Sequence, residues 1–378
     1  MKVRFLSLRL VILAVIVLAA GRAPAQVALP TPSLQATPPA DSQEKVKVFT
    51  EEVVIPVTAY DDSGHLSAAL ETHDILVFED DVRQEVRSIR RVPADVLLML
   101  DTGGDLNPAM SVATTRDVAT QLLSRLRPND RVAVLQFGSQ LELISDWTTD
   151  REFATRAIRT KLISGKRPQL VKALFAAAQR LRQVPAGTRH IVLITDGVDS
   201  SDDSALTEAI RQLLNANVTV HVIGYGALGR QAINKQNPLV VITDKKRKSA
   251  KDIADELMYP NEQPEYRKRN KLYVIIDTDF SMRRKRDAHQ EATRQGEVWL
   301  RSLAEETGGL VFIPRAVAEM TTQAEEIARE IDSQYVVSYR PKRSLADATE
   351  EEYRRIEVAP GTIGLHVRAR RGYVARPQ

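Results

Sequence analysis

Two short apolar runs in this chain each end directly in aspartate, and this pairing restricts the fold more than any other feature. Val96-Leu97-Leu98-Met99-Leu100 runs into Asp101-Thr102-Gly103-Gly104-Asp105, and Ile191-Val192-Leu193-Ile194 runs into Thr195-Asp196-Gly197. Continuous apolar segments of this length, bounded by turn residues, read as strands buried on both faces, the interior strands of a parallel sheet covered by helices. Carboxylates at their ends meet at the carboxyl edge, where open α/β sheets bind ligands. An unpaired buried charge costs several kcal/mol, so neither carboxylate is expected in the core.

From Pro93 onward strand and helix alternate. The strands read as Val96-Leu100, Val132-Phe137, Ile191-Thr195, Val218-Ile223, Leu310-Ile313 and Gln334-Tyr339. Leu141-Ile144 follows Val132-Phe137 after only Gly138-Ser139-Gln140, so the two form a hairpin and one of them runs antiparallel. Helical spacing links Val118, Leu122 and Leu126, with Asn107-Pro108 as cap and first turn. It also links Leu170, Leu174 and Leu181, then Leu206, Ile210 and Leu213, and finally Ile327 and Ile331. The predicted class is α/β: a doubly wound, mostly parallel sheet with one antiparallel edge strand. A small β element from the two ends of the chain accompanies it. Residues 46–92 supply one part through Val46, Val48, Val53, Ile55, Val57 and Ile75-Leu76-Val77-Phe78, and residues 341–378 supply the other.

The start of the chain is a basic Met1-Lys2-Val3-Arg4, an uncharged apolar stretch from Leu10 to Ala20, then Ala23-Pro24-Ala25. This describes a secretory signal over residues 1–25, shorter than the ~20 apolar residues that span a bilayer, so no stable transmembrane anchor is expected after cleavage. Residues 26–45, with Pro30, Pro32, Pro38 and Pro39, read as a semi-extended linker. The expected location is exported, periplasmic or extracellular. Removing the signal takes away Lys2, Arg4, Arg9 and Arg22 and no acid, so the formal net charge falls from +4 to zero. The high isoelectric point therefore belongs to the targeting segment and gives no reason to expect nucleic acid as a partner. The absence of cysteine excludes disulfides and thiolate metal sites, leaving stability to the hydrophobic core.

A basic segment over about residues 228–296 interrupts the alternation, with Lys245-Lys246-Arg247-Lys248, Arg267-Lys268-Arg269 and Arg283-Arg284-Lys285-Arg286. It is too long for an ordinary connection and contains strand-like pieces at Leu239-Ile242 and Leu272-Ile276, so it reads as a structured insertion. Its charge runs read as solvated loops, with an anionic surface as the competing interpretation. Asp277-Thr278-Asp279-Phe280-Ser281 reads as a turn with solvated carboxylates. His190 and His221 fall on or beside buried strands and read as core residues, and Trp147 and Trp299 as packing residues.

Asp101-x-Gly103-x-Asp105 on the first sheet strand and Thr195-Asp196-Gly197 on a later one resemble the von Willebrand factor type A domain. Flanking segments resemble the exported bacterial proteins related to that family. These are Asp74-Ile75-Leu76-Val77-Phe78-Glu79-Asp80, Leu303-Ala304-Glu305-Glu306-Thr307-Gly308-Gly309, Gln334-Tyr335-Val336-Val337-Ser338-Tyr339 and Arg368-Ala369-Arg370-Arg371-Gly372-Tyr373. The resemblance implies a domain over residues 93–340. It also implies a metal-ion-dependent adhesion site at the carboxyl edge, where Asp-x-Ser-x-Ser, a loop threonine and a later aspartate hold Mg²⁺ for an acidic residue of a partner.

This chain departs from that pattern. Gly103 and Asp105 stand in place of serines, and Pro168 in Lys166-Arg167-Pro168-Gln169-Leu170 stands in place of the threonine. Asp101, Asp105 and Asp196 remain as a degenerate ligand set, rimmed by Gly103, Gly104 and Thr195. The expectation is no cofactor, or a weakly bound Mg²⁺ or Mn²⁺. A basic side chain, Lys166 or Arg167, is expected to take the place of the cation. With no Ser/His/Asp arrangement and no glycine-rich phosphate loop, the chain is not expected to be an enzyme. The expected function is non-catalytic binding of an unknown protein or envelope-surface ligand. A metal-dependent adhesion module is the alternative, and a hydrolase using the aspartate cluster is the more remote one.

Overall fold

The computed structural model describes residues 51–66, 69–103, 112–165, 168–184, 188–199, 201, 203–236, 240–243, 273–276 and 280–375. The signal, the linker, most of the basic insertion, and the Asp277-Thr278-Asp279 part of the turn lie outside them. Six strands form the central sheet: β5 (Ala94–Asp101), β6 (Arg131–Phe137), β7 (Leu141–Thr148), β8 (Thr188–Thr195), β9 (Val218–Gly224) and β12 (Val311–Phe312). Their spatial order is β12-β9-β8-β5-β6-β7. Every pairing is parallel except β6 with β7, the antiparallel hairpin expected from its three-residue loop.

β5 shows why its sequence is continuously apolar. Val96, Leu98 and Leu100 enter the core on one face of the sheet, together with Val118 and Leu122 of α1 (Val112–Arg125) and Met320, Ile327 and Ile331 of α7 (Val317–Ser333). Leu97 and Met99 enter the opposite core with Leu170, Leu174 and Leu181 of α3 (Leu170–Arg182), Leu213 of α4 (Asp203–Asn215) and Leu300 and Leu303 of α6 (Phe280–Thr307). Successive strand side chains point to opposite faces, so a strand covered on both sides must be apolar throughout.

Two helices had no clear apolar periodicity in the sequence. α2 (Arg151–Lys161) buries only Ala154, Ala157 and Ile158, and its start is fixed by Asp150, whose side chain accepts from the Phe153 N–H at 2.9 Å. α5 (Gly226–Gln236) and α6 occupy the two ends of the basic segment, and between them Val240–Thr243 (β10) pairs antiparallel with Tyr273–Ile276 (β11).

The β element is larger than expected. It has two four-stranded sheets, ordered β15-β1-β13-β4 and β16-β14-β2-β3. The strands are β1 (Val53–Asp61), β2 (Ile75–Glu79), β3 (Val82–Gln84), β4 (Val86–Arg90), β13 (Tyr335–Tyr339), β14 (Glu352–Pro360), β15 (Leu365–Ala369) and β16 (Gly372–Ala375). The sheets share a core of Ile55, Val57, Ile75, Val77, Val337, Tyr339 and Ile356. Glu79 lies in it, 3% exposed, and accepts from Tyr339 Oη at 2.6 Å, Tyr373 Oη at 3.1 Å and Arg354 Nη1 at 3.1 Å. Placing Gln334-Tyr339 in the doubly wound sheet is thereby corrected, because β13 sits antiparallel between β1 and β4. All five of its residues are buried, and a strand covered on both faces in a sandwich has the same local pattern as one inside a parallel sheet.

Candidate functional site

Three neighbouring strands of the central sheet deliver the site. β5 pairs in parallel with β8, and β8 with β9, so Asp101 ends next to Thr195, and Thr195 lies in register with Gly224. Asp101 is 2% exposed, Thr195 0% and Asp196 2%, which corrects the expectation that neither carboxylate is buried: hydrogen-bond donors of the following turns hold both. Parallel register therefore brings together two residues, Asp101 and Thr195, that are 94 positions apart.

Asp101 is surrounded by hydrogen-bond donors. Its Oδ1 accepts from the Gly103 N–H at 2.9 Å, and its Oδ2 accepts from Thr195 Oγ1 at 2.7 Å. The Asp196 backbone N–H and the Tyr225 phenol lie beside it. Thr195 Oγ1 in turn accepts from the Gly197 N–H at 3.1 Å, and Asp196 Oδ1 accepts from the Val198 N–H at 2.9 Å. Burial pushes the Asp101 carboxyl well above its ordinary range and the charge of Asp196 adds to the rise, while the bonds from Thr195, Gly103 and Asp196 oppose it. Tyr225 is 1% exposed, and burial raises its phenol first, with the two carboxylates raising it further.

The loop that lost its threonine packs against the same turn. A Cβ built on Gly103 would lie 2.8 Å from both Cδ and N of Pro168. The Thr102 N–H donates to the Phe137 carbonyl at 2.9 Å, and the Gly165 N–H to the Thr102 carbonyl at 2.7 Å. The proline ring thus occupies the space that a side chain at 103 would need.

Helix α6 crosses the other side of the turn. Gly197 has φ +80°, the left-handed region that favours glycine, and a methyl group on Gly296 would collide with the Gly197 carbonyl. Beside this contact Glu297 pairs with Arg230 of α5 at 2.7 Å. The Asp196-Gly197 turn is therefore held between its own strand and a helix about 100 residues further along the chain.

Of the residues predicted for the site, Asp101, Asp196, Gly103 and Thr195 converge. Asp105, Gly104, Lys166 and Arg167 lie outside the described residues. Sequence reasoning missed Tyr225, although Gly224-Tyr225-Gly226 directly follows an apolar strand, as Asp101 and Asp196 do. It also missed Gly296, for which no local pattern gives a signal. His190 and His221 are core residues, both 0% exposed and stacked with ring centroids 5.3 Å apart. Trp147 and Trp299 pack on the core face that contains Leu97.

Residues 95–259 match the family model of the von Willebrand factor type A domain. A protein of Borreliella burgdorferi is 27% identical over 140 residues, covering 35% of this chain and 41% of that protein, so the chain spans about two fifths of this relative's length. Similar solved structures include a von Willebrand factor type A protein from Catenulispora acidiphila, with a TM-score of 0.42 and 11% identity, covering 87% of this chain and 73% of that one. The conserved hypothetical protein BatB from Bacteroides thetaiotaomicron has a TM-score of 0.37 and 14% identity, covering 63% and 98% of the respective chains. The manganese-loaded TRAP protein from Plasmodium vivax has a TM-score of 0.39 and 13% identity, covering 78% and 97%.

Proposed function

We propose that this chain, whose residues 95–259 match the von Willebrand factor type A domain, is an exported, non-catalytic binding protein. Its carboxyl edge takes a protein or envelope-surface partner. The observation that carries this reading is the state of the side chains at the edge. The Thr195 hydroxyl donates to Asp101 and accepts from Gly197, so it is not poised as a nucleophile. Asp101 is buried among donors. Such an edge offers a rigid surface rather than a reacting centre.

The rim beside this cluster has the character of a contact surface. Ile163 is 62% exposed and Leu141 40% exposed, on the loop after α2 and at the start of β7. Gln136 ties these two places together, accepting from the Ile163 N–H at 3.2 Å and donating to Glu142 at 2.7 Å. Apolar groups held on a firm backbone and flanked by polar ones suit protein recognition. Export rests on the basic start, the apolar stretch from Leu10 to Ala20 and Ala23-Pro24-Ala25. Among the described residues no helix is long and apolar enough to cross a membrane.

The test is capture from an envelope extract with immobilised wild type, Ile163→Asp and Leu141→Asp, with Ile363→Asp on the fully exposed β14–β15 turn as control. A partner of the carboxyl edge is lost from the first two variants and retained by the control. Equal capture by all four chains would reject the edge as the binding face, and turnover in a broad hydrolase panel would reject the non-catalytic reading.

A further inference from the structure

We propose that the hydrogen bonds from Gly103 and Thr195 to Asp101, backed by the buried Tyr225, replace the divalent cation of the family's adhesion site, so that this carboxyl edge holds its shape without metal. The first argument is the donor set around Asp101. A carboxylate has two oxygens and about four lone-pair sites. Here the Gly103 N–H bonds to one oxygen at 2.9 Å and the Thr195 hydroxyl to the other at 2.7 Å, with the Asp196 N–H and the Tyr225 phenol beside them. A cation at this carboxylate would have to displace the Thr195 hydroxyl and face the positive end of the Gly103 N–H dipole. Mg²⁺ needs near-octahedral oxygen ligands, and N–H groups supply none.

The second argument is steric and independent of the first. A serine at 103 would bring its oxygen into the site through a Cβ, but that Cβ would stand 2.8 Å from the Pro168 ring. Proline at 168 offers neither a side-chain oxygen nor an N–H. The Thr195 oxygen already acts once as donor and once as acceptor within the protein. The described residues of the site therefore do not fit the cation.

The third argument identifies the replacement. Asp101 and Asp196 are both 2% exposed, and groups so deeply buried depend on hydrogen-bond donors and packing around them. Tyr225 is delivered by the third strand end, its N–H donating to the Thr195 carbonyl at 2.9 Å and its phenol lying beside Asp101. Gly226, next in the chain, backs onto the Asp196 carbonyl and Thr293 of α6, which fixes the entry of α5 at this point. Tyr225 is a positioning residue: it orders the edge through Asp101.

Only the use of this edge for binding rests on the function proposed above; the exclusion of metal does not, and it is tested on the protein alone. The full chain is titrated with MnCl₂ and MgCl₂ by calorimetry and by the spin-resonance signal of free Mn²⁺, and its melting temperature is compared in chelator and in excess cation. Wild type is expected to give no binding heat, an undiminished Mn²⁺ signal and the same melting temperature in both. Tyr225→Phe keeps the ring, removes the hydroxyl and is expected to melt several degrees lower. Saturable Mn²⁺ or Mg²⁺ binding by wild type would overturn the proposal, and so would a Tyr225→Phe variant that melts with wild type. If Tyr225→Phe does not fold, the wild-type titration still decides, and no outcome of it depends on whether a partner binds.

Discussion

The stacked pair His190 and His221 should make this protein lose stability steeply on mild acidification. The His221 Nδ1 accepts from the Leu310 N–H at 3.2 Å, so this ring carries its proton on Nε2, 3.2 Å from His190 Nδ1. His190 then carries its own proton on Nε2, an atom with no hydrogen-bond partner among the described residues. Both rings are neutral in the folded chain. Burial pushes His221 down to about 3 and His190 well below its ordinary value. The charge of His221 opposes protonation of His190, the Glu330 carboxylate on α7 favours it, and Arg127 opposes it. Arg368 on β15 opposes protonation of His221.

The sign follows from linkage. The folded state holds these imidazoles neutral, whereas the unfolded chain protonates them below about pH 6.5, so the stabilisation is complete above that pH and is lost as pH falls. At pH 5 each unfolded imidazole has gained about 2 kcal/mol from protonation, or about 4 kcal/mol for the pair. That is a large part of the 5–15 kcal/mol typical of a folded domain. The perturbation is a move from pH 7.5 to 5, above the range where most carboxylates titrate, applied to wild type and to His190→Leu with His221→Asn. Asparagine can still accept from Leu310. Urea unfolding at each pH gives the two stability curves, and wild type should lose about 4 kcal/mol more than the double variant. Any contribution of the half-buried His289 cancels in the difference, because both proteins retain it. Parallel curves would refute the reasoning, since they would mean that the pair takes up protons inside the fold as readily as in the unfolded chain.

Gly103→Ser should cost about 1–3 kcal/mol by overpacking against Pro168, and adding Pro168→Thr should recover part of it in urea unfolding; a neutral Gly103→Ser would contradict the contact. Gly296→Ala should destabilise despite the ~1 kcal/mol that alanine gains over glycine in a helix, because its methyl group meets the Gly197 carbonyl, and a higher melting temperature would contradict this. Glu79→Ala takes one of two carboxylates from the fully buried Arg354, which keeps Glu352 at 2.6 Å, and removes the acceptor of the Tyr339 and Tyr373 hydroxyls, so it should cost about 1–3 kcal/mol, read by the same unfolding assay. The exported protein should begin at Gln26, and an intact mass that retains Met1 would reject cleavage.

Much of the central sheet was legible because the information is local. An apolar run such as Val96 to Leu100 can be satisfied only by burial on both faces, and a three-residue link such as Gly138-Ser139-Gln140 can only join antiparallel neighbours. The same locality put Asp101 and Asp196 at strand ends and the two histidines in the core. The helices with weak periodicity, α2 above all, were not legible, because few of their residues face the core and polar composition resembles a loop.

Tertiary structure alone decided the partners. A buried strand records that both faces are covered but not by what, so Tyr335 to Tyr339 could join either sheet until β1 and β4 claimed it on its two edges. Gly103 and Pro168, Gly197 and Gly296, and Asp101 and Tyr225 are each far apart in the chain, and each meeting is set by parallel register and helix packing. The sequence therefore determined that two carboxylates would stand at the carboxyl edge. Whether those carboxylates face a cation or the protein's own hydroxyls depends on which strand end arrives beside them, and periodicity within a single segment does not encode that.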